Sequence, residues 1–189
     1  MRPGTALVPR DHRGAKHLTG WLALAVVGSL TTLPGFAPAA EPLRCVMQAP
    51  ARVPAGAPVP LRFVVTNRSA QALRLLEWNT PFEGWFGAYV EVTRDGIVLP
   101  YRGPMLKRGE PSADEYLSFG TAQTRRATVD LAQPFDLSQP GLYRVQARIT
   151  LHDVAGARVP QRARALHEAR PLACNAVELR IVPAFGRPP

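Results

Sequence analysis

The chain has 189 residues, 46% hydrophobic and 20% charged, with 20 Pro, 15 Gly and a formal net charge of +9. Length and apolar content suit one buried core, and that much Pro and Gly excludes a mainly helical fold. The positive charge does not read as a nucleic-acid footprint: beyond residue 40 it is carried by 18 Arg and one Lys, dispersed along the chain except for the run Arg158, Arg162, Arg164 and Arg170, whereas such a footprint gathers on one face or stripe.

Arg2, Arg10, Arg13 and Lys16 precede the apolar run Trp21–Leu30, and Ala37-Pro38-Ala39-Ala40 follows. A basic start, a short apolar core and a small-residue site describe an export signal, assigned to residues 1–39. The run is too short for the ~20 apolar residues of a membrane span, so no stable span is expected. A domain at 40–183 and a flexible Pro-rich tail at 184–189 complete the organisation. That domain holds 19 basic and 13 acidic groups when counted with its tail. Its two cysteines, Cys45 and Cys174, stand near its ends. In an exported chain they are expected to form a disulfide, since two Cys alone do not complete a zinc site.

Pro50 to Pro60, rich in Ala and Pro, reads as an extended connector. Leu61–Asn67 and Ala72–Glu77 alternate apolar and polar residues and read as strands. Between them and the next strand lies Trp78-Asn-Thr-Pro-Phe-Glu-Gly-Trp-Phe86, four aromatics in nine positions. Trp78 is expected in the core with a partner for its N–H. Pro81 and Gly84 turn the chain, Asn79 or Thr80 bonds nearby backbone, and Trp85 and Phe86 are the better candidates for exposure in this stretch. Tyr89–Arg94 and Ile97–Tyr101 flank Asp95-Gly96, whose positive φ angles fit a tight hairpin. Thr128–Leu131, Leu142–Leu151 and Ala176–Val182 continue the pattern. Gly141 and Tyr143 enter a late strand in the manner of a tyrosine corner, with an ordinary half-buried strand Tyr as the alternative. The expected fold is all-β, an immunoglobulin-like antiparallel sandwich of about seven to nine strands with one disulfide.

Catalytic constellations are hard to find. His167-Glu168 begins an H-E-x-x-H pattern, but Pro171 stands where the second His belongs. Tyr116-Leu-Ser118-Phe-Gly120 lacks the first Gly of a nucleophile elbow. His152-Asp153 reads as a strand-end pair facing solvent. Asp114-Glu115 reads as a solvated loop pair, and calcium at Glu110, Asp114 and Glu115 matches no defined loop spacing. No catalytic or metal residue and no cofactor is assigned, and the expectation is a protein that is not an enzyme.

Three longer stretches carry a resemblance: LRFVVTNRSAQALRLLEWNTPFEGW, then VEVTRDGIVLPYRGPMLKRGEPSADEYLSF, then ATVDLAQPFDLSQPGLYRV. Over Leu61 to Val145 the chain resembles the N-terminal pro-region of peptidyl-Lys metalloendopeptidases, the deuterolysin-type zinc proteases. The resemblance implies a sandwich domain that assists folding of a protease and covers its cleft, here without the catalytic part. It implies an exported zinc metalloendopeptidase as partner, bound in trans by an inhibitor or chaperone. Trp85, Phe86, Arg102, Lys107 and Arg108 are the candidate contact residues, Lys107 being the one Lys beyond residue 40. The alternative is a periplasmic or cell-surface interaction module, an argument from fold alone.

Overall fold

The computed structural model describes residues 41–184. The expected export signal and all but the first residue of the expected tail lie outside the described residues. Thirteen short strands occupy the described chain, more than the seven to nine expected. They are β1 (Leu43–Gln48), β2 (Arg52–Pro54), β3 (Pro60–Asn67), β4 (Leu73–Leu76), β5 (Val90–Arg94), β6 (Ile97–Val98), β7 (Tyr116–Phe119), β8 (Thr124–Asp130), β9 (Gly141–Ala147), β10 (Ile149–Leu151), β11 (Val154–Gly156), β12 (Arg170–Leu172) and β13 (Val177–Val182). Two single 3-10 turns, Ala113–Glu115 and Arg164–Leu166, are the only helical residues among those described.

The strands form a three-stranded sheet β1-β3-β8, a five-stranded sheet β2-β13-β9-β5-β6, a three-stranded sheet β11-β4-β7 and the pair β10-β12. All pairings are antiparallel except β13 with β2. Alternation decides which side chains enter the core, because successive strand residues point to opposite faces. In β3, Leu61, Phe63 and Val65 are fully buried while Arg62 faces out, and in β9 Tyr143 and Val145 are buried while Leu142 and Arg144 face out. The inner faces of these sheets share one apolar core with the disulfide and the aromatic loop residues, in the manner of a sandwich. Phe63 of β3 meets Tyr89, at the entry to β5, edge to face at 6.2 Å.

Cys45 and Cys174 are bonded, with Cα atoms 4.7 Å apart and a sequence separation of 129. The bond ties β1 to the segment entering β13. Closing so long a loop contributes roughly 4 to 5 kcal/mol in the chain-entropy account.

Asp95 (φ 48°) and Gly96 (φ 86°) make the tight turn of the β5–β6 hairpin as expected. Asp95 also accepts the Leu142 N–H at 3.1 Å, so the turn residue fastens the start of β9. Tyr143 is fully buried and donates its hydroxyl to the Gln139 carbonyl at 2.7 Å, the corner bond expected of it. Gly141 begins β9 against Arg94 and Asp95, where a Cβ would come within 2.8 Å of the Asp95 carboxylate.

Two expectations are corrected here. The connector from Pro50 to Pro60 contains β2, which pairs with the edge of β13; Pro54 ends it, and an edge position tolerates its missing N–H. Leu142–Leu151 is two strands. Its alternation runs unbroken from Tyr143 to Leu151, but at Arg148 the chain leaves β5 and β13 and passes to β12.

Candidate functional site

The segment after β4 folds into successive turns that its own side chains stabilise. Thr80 donates its hydroxyl to the Glu77 carbonyl at 2.6 Å and accepts the Phe82 N–H. Asn79 takes φ 54°, a left-handed conformation that Asn tolerates, and its N–H reaches Glu83 Oε2 at 3.0 Å. Gly84 takes φ 93°, where a side chain would be strained, and Pro81 is buried in the turn.

Trp78 is buried and donates Nε1–H to Glu115 Oε1 at 2.7 Å, as a core indole requires. Its ring also receives two guanidinium groups, Arg108 at 5.2 Å and Arg164 at 5.9 Å. Trp85 corrects the sequence reading: it is only 7% exposed, stacked on Tyr89 at 4.6 Å with Phe135 edge-on, and its N–H reaches the Asp130 carbonyl at 2.9 Å. The turn at Gly84 points the indole inward, which a run of aromatics does not reveal. Phe86 is 38% exposed, as expected.

The loop 102–112 is pinned at both ends. Arg102 donates its backbone N–H to the Pro134 carbonyl and its side chain lies 3.8 Å from Asp136. Tyr101 donates its hydroxyl to the Pro104 carbonyl across Gly103, where a Cβ would strike that hydroxyl. Arg108, expected as a contact residue, is mostly buried in an ion pair with Glu83 while its guanidinium covers Trp78. Between these anchors Met105, Leu106 and Lys107 face solvent, Met105 at 77% exposure. The Leu106 N–H meets the Phe86 carbonyl, so Phe86, Met105 and Leu106 form one exposed apolar ridge with Lys107 beside it.

Asp153 overturns the expectation of a solvent-facing pair with His152. It is fully buried between β10 and β11. Its carboxylate is paired with Arg162, accepts the Tyr116 hydroxyl at 3.0 Å and lies 3.8 Å from His167 Nε2. Burial and the bond to Asp153 push the Tyr116 hydroxyl up to about 12. His152 is half-buried beside Asn79 at 3.2 Å, and burial, with Arg164, His167 and Arg108 nearby, depresses its pKa.

Glu115 is more than a solvated acid. It accepts the Ser112 N–H at 2.8 Å and the Trp78 N–H, bonds that hold its carboxyl below the usual range, while exposed Asp114 is lowered by bonds with Ser112 and its own backbone. Burial, then Glu83 and Glu115, raises Glu77.

These groups knit three loops together around Trp78 and Asp153. The two histidines of the described chain bond to Asn79, Tyr116 and the Arg162 carbonyl, and neither bonds a Ser or Thr hydroxyl. No cluster of three or more His, Cys, Asp or Glu suited to a metal occurs among the described residues, and none of their helices is long and apolar enough to cross a membrane. Sequence reasoning missed the Asp153 cluster because Tyr116 stands 37 positions before Asp153, and because Arg162 and His167 return to it only through the loop after β11. The dense Arg run from Arg158 to Arg170 was its one available signal.

No family model matches the chain. Over 88 residues, 47% of its length, it is 28% identical to an extracellular protease of Aeromonas hydrophila, and the match covers 25% of that protein. Over 98 residues, 51% of its length, it is 28% identical to a probable neutral protease 2 homolog of Arthroderma benhamiae, covering 26% of that protein. The chain therefore contains a protease-related region and spans about a quarter of the length of the curated relatives it matches.

Proposed function

We propose that this protein is a non-catalytic, exported relative of a protease pro-region that binds an exported zinc metalloendopeptidase in trans, as inhibitor or folding chaperone. The similarity of half the chain to a quarter of two proteases carries this reading. The Cys45–Cys174 disulfide supports export, because such bonds persist in oxidising compartments. The ridge of Phe86, Met105 and Leu106 supplies the apolar part of a contact surface, and Lys107 supplies the charge that an acidic, lysine-selective pocket accepts. Arg102 and Arg108 hold that loop in place from either side.

The test titrates the purified protein into a secreted zinc metalloendopeptidase of the same organism, following both binding and peptide hydrolysis. Tight binding that lowers hydrolysis supports inhibition, and improved recovery of refolded protease supports a chaperone. Lys107→Ala is expected to weaken binding at least tenfold without lowering the melting temperature. Unchanged affinity removes Lys107 from the contact, and no binding at all removes the protease reading.

A further inference from the structure

The outer face of the β1-β3-β8 sheet gathers exposed arginines from all three of its strands. Register places Arg44 opposite Thr66 and Thr66 opposite Thr124. The next outward row is Val46, Val64 and Arg126, and the third is Gln48, Arg62 and Thr128. One arginine therefore comes from each strand, and all three are exposed. From a strand spacing of ~4.8 Å and a rise of ~3.4 Å per residue, their Cα atoms lie about 8, 12 and 14 Å apart. None of the three enters an ion pair among the described residues. The acids nearest this face stand at its margins. Asp130, beside Pro60, is occupied by the Val59 and Ala132 N–H groups, and Glu41 precedes β1 by two residues.

The remaining outward groups are uncharged hydrogen-bonding side chains. Thr66 and Thr124 share a 2.8 Å bond, and Gln48 and Thr128 are exposed. No aromatic side chain stands on the face, and neither Val46 nor Val64 is prominently exposed. That composition selects among anionic partners. A protein interface is anchored by aromatic or other large side chains that fill pockets, and a single-stranded nucleic acid by stacking aromatics. Three cations at ~1 kcal/mol each give only weak adhesion to an anionic bilayer without an apolar anchor. An open array of guanidinium, hydroxyl and amide groups instead matches a polymer bearing both anionic groups and sugar hydroxyls.

We propose that the outer face of β1-β3-β8 is a docking site for a linear anionic glycan carrying sulfate, phosphate or carboxylate groups. This inference does not rest on the protease-related reading. The guanidinium groups of Arg44, Arg62 and Arg126 take anionic groups of the polymer, and Gln48 and Thr128, on either side of Arg62, take hydroxyls beside it.

The experiment measures binding of the protein to dextran sulfate, neutral dextran, phosphatidylglycerol vesicles and duplex DNA at several salt concentrations. Two triple variants of equal charge change are compared: Arg44→Glu/Arg62→Glu/Arg126→Glu, and Arg52→Glu/Arg158→Glu/Arg180→Glu, whose residues are also exposed. Dextran sulfate is expected to bind and neutral dextran not. The first triple variant should lose at least tenfold in affinity and much of the salt dependence, and the second less than threefold. Equal losses in the two variants, no binding to dextran sulfate, or tighter binding to vesicles or DNA would overturn the proposal. Should the Glu triple unfold, the Arg→Gln triple at the same three positions is compared with its Gln counterpart in the same way.

Discussion

Arginine does opposite work in two regions of this molecule. Around Trp78 and Asp153 it is drawn inward: Arg108 pairs with Glu83, Arg162 pairs with buried Asp153, and Arg108 and Arg164 cover an indole. On the β1-β3-β8 face, Arg44, Arg62 and Arg126 project into solvent and pair with no acid among the described residues. The five-stranded sheet falls between the two, for its outward Arg144 is paired with Glu178, and Glu91 is paired with Arg148 beyond the end of β9, while Arg52 and Arg180 enter no ion pair among the described residues. Charge in the first region fastens loops to each other. Charge on the open face contributes little to folding and is left available for a ligand, since an exposed charge gains little from the chain around it.

The largest effect should separate neighbours within the closed region itself. Trp85 and Phe86 are adjacent, but only Trp85 is stacked on Tyr89 and wedged against Phe135. Trp85→Ala removes a buried indole and its bond to Asp130, and is expected to cost about 3 to 5 kcal/mol. Phe86→Ala should cost under about 1 kcal/mol, because its ring already meets water. Urea denaturation of the two variants checks this, and equal losses would mean that both rings pack alike.

A second variant probes the buried charge. Asp153→Asn leaves Arg162 without its partner and Tyr116 without a carboxylate to bond. Breaking a buried pair in this way costs ~3 to 5 kcal/mol, and the low end applies because Arg162 can swing toward water. The matching loss for Arg44→Gln on the open face is within ~0.5 kcal/mol. A small loss at Asp153 would erase the contrast between the two regions.

Much of the sandwich was legible in its residues. β3, β5 and β13 alternate clearly, Asp95-Gly96 announces the hairpin, and the cysteines announce their bond. Five strands went unread. β2, β11 and β12 are three residues long, two of them contain Pro, and three residues cannot display a period; β7 has only four residues, whereas β1 alternates over six and was legible but missed. Arg148 was also invisible as a boundary, because changing sheets there does not change which side chains face inward.

The site was less legible than the fold. Trp85 and Phe86 are equally apolar in sequence, and only the turn at Gly84 separates their fates. Asp153 looked like half of an exposed pair until Tyr116, distant in sequence, and Arg162, from the loop that follows β11, closed over it. The arginines of β1, β3 and β8 likewise looked dispersed. They are dispersed in the chain, and strand register gathers them, which is information that composition does not carry.

The smallest effect distinguishes the regions by pH. A guanidinium stays charged across the physiological range, so the open face keeps its charge between pH 5 and 8. The closed region contains His152, whose folded pKa lies below its usual 6.5 because of burial and the nearby Arg164, His167 and Arg108, with Glu83 opposing them. Asn79 can donate to a neutral ring nitrogen, an arrangement that protonation there would end. An unfolded chain therefore takes up the proton first. The stability that depends on neutral His152 is fully present above about pH 6.5, the unfolded value, and is lost as pH falls from there through the lower folded value. Glu77, held above its usual range, acts in the opposite sense at lower pH, while Glu115, Asp114 and Asp136, held below theirs, lose their contributions only in more acid solution. Melting temperature between pH 7 and 5 should therefore fall less for His152→Gln than for the parent chain. Parallel slopes would mean that His152 takes up its proton as readily in the folded protein as in the unfolded chain, and the closed region would then share the open face's indifference to pH.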